Sequence, residues 1–310
     1  MIPYLRLRHT LRSTTRAHLP PFKGSLLRGA FGHALRKSVC TMGPAQECVD
    51  CRLRQACVYT RIFETFVEGD PPPFLKGIDT APRPYVFEPR TEAQSFAPGD
   101  PLEFDLVLLG QAMDLQAYAL LSIERMAANG LGRDRFPFEL AEVQALEPSG
   151  AWRPIFANGR VTSPGTLALC LPAGDLPTDR AVLRFLTPTR LQIRHRLAGD
   201  VAFRPLAFNM LRRTLELTWF HVPNAPVDWN LRPLLDQADA VQVTASDLTW
   251  KDWDRYSNRQ KQKMTLGGFV GTLEIQGNLA PFAPLLRTAE IVHVGKGATF
   301  GLGQVQVGVT

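Results

Sequence analysis

Apolar and polar residues alternate through residues 4–12 (YLRLRHTLR), the period-two pattern of a strand with one wet, basic face. Pro20 and Pro21 break it. From 24 to 38 the apolar residues Leu27, Ala30, Phe31, Ala34 and Leu35 recur at helical spacing. Beyond a proline-rich stretch over 69–101, residues 85–87, 102–109 and 138–146 read as strands. Residues 115–129 read as a second amphipathic helix, stopped by Gly130 and Gly132. Residues 147–178, rich in Pro and Gly, read as a linker with a hairpin. A similar order follows: a strand over 181–196, helical pieces over 202–222 and 231–240, and strands over 244–256 and 268–277. A short helix over 281–289, a strand start at 291–294 and a closing strand over 304–309 complete it.

The first set of elements has the β-α-β-β-α-β order of a ferredoxin-like domain, and the second roughly duplicates it. The expected fold is therefore α+β: two tandem ferredoxin-like domains, 1–146 and 179–310, joined by 147–178. The length of 310 residues suits two domains, and 45% apolar with 21% charged residues is ordinary for a globular chain. Every long apolar stretch is interrupted, so no membrane partner is expected. Arg6, Arg8, Arg12 and Arg16 interrupt what would be a signal's apolar region, so a cytoplasmic location is expected.

The net charge of +6 is unevenly placed. Residues 1–46 carry eight Lys or Arg and no acid; the first acidic residue is Glu47. A second basic cluster holds Lys251, Arg255, Arg259, Lys261 and Lys263. Convergence of the two into one groove would suit a phosphate backbone; two ordinary solvated faces are the alternative. Four of the five cysteines, Cys40, Cys48, Cys51 and Cys57, fall in one window, C-x7-C-x2-C-x5-C. Four thiolates suit a structural, tetrahedral zinc site, with an iron–sulfur cluster or free thiols as the alternatives; a full set of four thiolates leaves no open position for catalysis. Cys170, alone in an apolar run, reads as a buried small hydrophobe.

Residues 294–304 (VGKGATFGLGQ) are glycine-rich but lead into a strand, so they do not match the phosphate-binding loop of ATPases. With 254–264 (DRYSNRQKQKM) and 266–271 (LGGFVG), this segment resembles the C-terminal domain of the CRISPR precursor-RNA processing endoribonucleases of the RAMP superfamily, which pair ferredoxin-like domains. Residues 23–32 (KGSLLRGAFG) resemble the first helix of RAMP proteins, and the cysteine cluster is similar to that of a subset of the family.

The resemblance implies binding of CRISPR repeat RNA and its cleavage without a metal. The 2′-hydroxyl attacks the adjacent phosphate, leaving a 2′,3′-cyclic phosphate and a 5′-hydroxyl. A base, an acid and a cation are needed. The family often carries its catalytic histidine on or near the first helix, and His33 is the match. Lys37 lies one turn on, about 40° away on the helical wheel, and suits the transition-state charge. His18 is the second candidate. Arg28, Arg36, Arg255, Tyr256, Arg259, Lys261, Lys263, Lys296, Gly297, Gly301 and Gly303 are the expected RNA-binding residues. A non-catalytic RAMP subunit holding RNA inside a CRISPR effector complex is the alternative.

Overall fold

The computed structural model describes residues 2–43, 45–69, 71, 75, 78–157, 159–161, 170, 178–193, 196–197, 201–257, 262–265 and 267–308. Contacts divide the chain into two units. One is Pro3–Cys170 with Phe220–Pro223; the other is Met1–Ile2, Leu171–Trp219 and Asn224–Thr310.

The first unit contains β1 (Tyr4–Ser13), β2 (Ala17–His18), α1 (Gly24–Val39), β3 (Tyr85–Pro89), β4 (Ser95–Phe96), β5 (Pro101–Leu109), α2 (Gln116–Ala128), β6 (Phe138–Leu146), β7 (Trp152–Ala157) and β8 (Arg160–Val161). Its main sheet runs β3-β5-β1-β6-β7-β8, every neighbouring pair antiparallel. The alternation in β1 sends Leu5, Leu7, His9 and Leu11 into the core. α1 buries Leu27, Phe31, Ala34 and Leu35, and α2 buries Ala119, Ile123, Met126 and Ala127. Each large apolar side chain so buried contributes roughly 1.5–3 kcal/mol. Phe31 meets Tyr85 and Phe87 edge-on at 5.7 and 5.4 Å between centroids. A methyl at Gly32 would overlap the Phe63 ring, so that glycine of the helix motif serves internal packing.

The expected hairpin in 147–178 is β7–β8, and it extends the first sheet. Cys170 is buried and bridges Tyr4 by two backbone hydrogen bonds, of 2.9 and 2.8 Å. β7 and β8 are thus strands of the first unit's sheet.

The charges of β1 have partners far along the chain. Arg8 donates to Asp105 through Nε at 2.9 Å and Nη2 at 3.2 Å. Arg90 reaches the same carboxylate at 3.3 Å, and Arg6 pairs with Glu88. Asp105 is 1% exposed and Glu88 4%, so this is a desolvated ionic cluster.

His9 is fully buried, stacked on Phe104 at 5.1 Å between centroids, with Nδ1 3.1 Å from the Leu7 carbonyl oxygen. Burial pushes its pKa down to about 3. The unfolded chain takes up this proton near pH 6.5 and the folded unit does not until about 3. Stability is therefore lost as pH falls through that window, at about 1.4 kcal/mol per pH unit from this group alone. His9→Phe is expected to lose less melting temperature between pH 7 and pH 4.5 than the wild type; equal losses in thermal denaturation would refute the assignment.

The second unit contains β9 (Arg180–Thr189), β10 (Gln192–Ile193), β11 (Arg196–Leu197), α3 (Phe203–His221), α4 (Arg232–Ala238), β12 (Gln242–Lys251), β13 (Asp254–Ser257), β14 (Gln262–Thr265), β15 (Gly268–Gln276), α5 (Ala283–Val292) and β16 (Val305–Gly308). The last two residues of α3 count with the first unit. The main sheet is β12-β15-β9-β16, again antiparallel. Its strand order, taken by position along each unit, matches β3-β5-β1-β6 of the first unit. Leu183, Phe185, Phe203, Met210, Phe269, Leu273, Phe282 and Leu286 form its core.

Three expectations change. The strand over 181–196 ends at Thr189, with β10 pairing β11 separately. The strand over 244–256 is two strands, because β13 leaves the sheet to pair with β14. Ile291 and Val292 are not a strand start: they finish α5, and His293 ends it with a φ of 63°.

Candidate nucleic-acid interface

α1 presents one open strip to solvent. His33 and Lys37 are exposed one turn apart, on the side away from Leu27, Phe31 and Leu35. Gly29 precedes them by one turn, with no atom within 4 Å of the place a Cβ would occupy. Lys37 stands in the last turn, where the helix dipole favours a cation. His18 is also exposed, on β2 opposite Ser95. The other described histidines are buried: His9 as above, His221 with Nε2 2.6 Å from the Pro82 carbonyl oxygen, and His293 with Nδ1 3.1 Å from that of Leu302. His195 lies outside the described residues.

Most of the basic residues of 1–46 are engaged within the unit. Arg6 and Arg8 belong to the carboxylate cluster. Lys23 is buried and donates to the carbonyls of Pro20 and Pro21 at 3.1 and 3.2 Å; burial lowers its pKa to about 8. Arg28, expected at RNA, lies over the Phe63 ring at 4.5 Å. Arg36, expected there too, donates to the Gln46 carbonyl at 2.6 Å and stands 6.0 Å from the Tyr59 ring. Arg12 is exposed and donates to the Gly99 carbonyl at 2.9 Å, and Arg16 and Lys37 are exposed.

The four expected metal ligands form no disulfide and are all partly exposed. Burial raises the Cys48 pKa, against the pull of the Arg36 guanidinium. Cys40 Sγ lies 3.8 Å from the Gly43 carbonyl oxygen. The donor set has the chemistry for zinc. Among the described residues no group of three or more His, Cys, Asp or Glu is placed to hold a metal ion.

In the second unit the glycine-rich segment is a folded turn. Gly297, Gly301 and Gly303 have φ of 85, 83 and 71°. A methyl at Gly297 would come within 2.8 Å of Leu302 Cδ1, and one at Gly303 would overlap the Val294 carbonyl. The turn's own packing thus requires both glycines. Thr187 Oγ1 donates to the Gly301 carbonyl at 2.7 Å, and the Lys296 N–H donates to the Arg190 carbonyl at 3.0 Å. The Lys296 side chain is exposed.

The turn sits at one end of the sheet. Arg190 follows β9 directly; Thr189 pairs with Phe269 of β15, and Phe269 with Trp250 of β12. Arg190 and Trp250 were not singled out by the sequence, yet both stand here, two strands or about 10 Å apart. Arg255 and Tyr256 of β13 and Lys263 of β14 are placed by backbone register alone: Arg255 opposite Met264, Tyr256 opposite Lys263. Their side chains, and all of Arg259 and Lys261, lie outside the described residues.

The folds of known proteins match this arrangement. A Cas6 product complex from Thermus thermophilus is 17% identical over 99% of this chain and 100% of that one, with a TM-score of 0.57. A partial Cas6-RT-Cas1–Cas2 complex is 14% identical over 100% of this chain and 46% of that one, with a TM-score of 0.60. A structure described as an RAMP protein binding different RNA substrates is 10% identical over 98% and 100%, with a TM-score of 0.51. At such identities the likeness is one of fold: an antiparallel α+β fold of the RAMP kind. No curated protein matches the chain. Two family models do. AF_1859_N, N-terminal domain, covers residues 2–166, more than half of the chain, and CRISPR-associated endoribonuclease Cas6 covers 183–305. The chain belongs to the RAMP family of CRISPR RNA-processing proteins, with a Cas6 endoribonuclease domain in its second half. Among the described residues no helix is long and apolar enough to cross a membrane.

Proposed function

We propose that this chain, built as two ferredoxin-like domains, is an endoribonuclease that cuts CRISPR repeat RNA in precursor transcripts without a metal. The Cas6 family match over 183–305 carries this reading. The residue assignment is supported by the exposed His33–Lys37 strip on α1. In the reaction the 2′-hydroxyl oxygen bonds to phosphorus and the bond from phosphorus to the 5′ oxygen breaks. The 2′ proton passes to a base and the leaving oxygen takes a proton from an acid. His33 serves as acid or base, His18 is the second candidate, and Lys37 offsets charge on the phosphoryl oxygens. Lys296 and the basic hairpin β13–β14 hold the backbone and so position rather than specify.

Labelled repeat RNA separates this reading from that of a non-catalytic subunit of an effector complex. A defined cut supports the enzyme; tight binding with no cut supports the subunit.

By donor chemistry alone, Cys40, Cys48, Cys51 and Cys57 are where a structural zinc would bind. One zinc per chain by elemental analysis, lost with a fall in melting temperature in Cys48→Ser, is the expected result. Zinc-free protein of unchanged melting temperature would contradict it, and iron with sulfide would indicate a cluster.

A further inference from the structure

The end of β12 holds a large aromatic side chain open to solvent in a fixed orientation. Trp250 is 45% exposed. Its Nε1–H donates to Asp252 Oδ1 at 2.8 Å. A Cβ at Gly267 would come within 2.7 Å of Trp250 Cζ2 and Nε1, so the indole lies against the space that glycine leaves. Lys251 follows directly, with its ammonium 5.1 Å from the Trp253 ring centroid. Arg190 and the exposed Lys296 lie along the same sheet end, and the basic hairpin begins at Asp254.

We infer that Trp250 is a stacking platform for one unpaired nucleobase, so that the second unit takes a single-stranded stretch of its RNA at this end of the sheet. The inference rests on the reading of the chain as RNA-binding. A nucleobase offers the flat face that an exposed indole can cover, and the neighbouring cations attract the phosphates on either side of it. Holding the indole by Asp252 and Gly267 removes rotamer freedom before RNA arrives, so stacking costs less entropy. Bases inside a duplex have their faces covered by their neighbours, so a paired segment gains nothing from Trp250. Every base has such a face, so the platform tolerates any sequence.

The test measures binding of a short oligouridine RNA and of a short RNA duplex at several salt concentrations, for wild type, Trp250→Ala, Trp250→Phe and Lys296→Ala. Trp250→Ala is expected to weaken oligouridine binding about tenfold or more. It should leave duplex binding and the salt dependence unchanged. Trp250→Phe should restore much of the loss. Lys296→Ala should instead lower the slope of log K against log salt by about 0.7. Wild-type oligouridine affinity in Trp250→Ala would overturn the inference while leaving the RNA-binding reading in place. So would an equal loss for both RNAs accompanied by a lower melting temperature, which marks a structural role. Wild-type protein that binds neither RNA would overturn both.

Discussion

His33→Ala is expected to slow single-turnover cleavage of repeat RNA by about 10²-fold or more while leaving RNA affinity within a few-fold of wild type. Proton transfer by a positioned imidazole supplies acceleration of this order, and an exposed imidazole contributes little to packing or stability. The protein itself narrows the choice. His9, His221 and His293 are enclosed and meet backbone carbonyls, so among the described histidines only His18 and His33 can meet an RNA. His33 shares its helical face with Lys37 and with the bare backbone at Gly29, which lets a phosphate approach closely. Lys37→Ala should also lower the rate, and Lys37→Arg should recover part of it, because the charge matters more than its shape at this point. Full activity in His33→Ala would move the assignment to His18.

Asp105→Ala is expected to destabilise the first unit by about 3–5 kcal/mol, a fall in melting temperature of roughly 10 °C. The removed carboxylate accepts two hydrogen bonds from Arg8 and faces Arg90 and Arg6, with only Glu88 left to balance three guanidinium groups. Most of the cost is the uncompensated positive charge of the partly buried Arg6 and Arg8 rather than the lost bonds. Asp105→Asn keeps an acceptor and should fall between. Thermal denaturation decides: a change below about 1 kcal/mol would mean that the cluster is well solvated. RNA affinity should not drop in Arg8→Ala at temperatures where the variant is folded, because that guanidinium already has its carboxylate.

Local periodicity made much of this architecture legible. The period-two run of β1 and the apolar stripe of α1 need no distant information, and both stand where the pattern puts them. The carboxylate partners of Arg6 and Arg8 lie more than eighty residues away, so the first 46 residues read as a bare basic surface although the fold neutralises much of it. The aromatic and carbonyl partners of Arg28 and Arg36, Phe63 and Gln46, lie on the segment after the helix, out of reach of local periodicity. Ile291 and Val292 have strand-like composition, but helix α5 continues through them until His293 turns the chain. Trp250 escaped notice because alternation cannot distinguish an indole in the core from one held at a sheet's end; Asp252 and Gly267 make that difference. For the histidines, spacing placed His33 on an open flank of α1, and the structure adds what spacing cannot show: His9, His221 and His293 are enclosed, whereas His18 stays open.

The most direct test incubates the purified protein with its cognate repeat RNA in excess chelator and determines the mass of the upstream fragment. A single cut leaving a 2′,3′-cyclic phosphate, at a rate unchanged by the chelator, is the expected result. Intact RNA in chelator with cleavage restored by magnesium, or a 3′-hydroxyl end on the upstream fragment, would contradict metal-free attack by the 2′-hydroxyl.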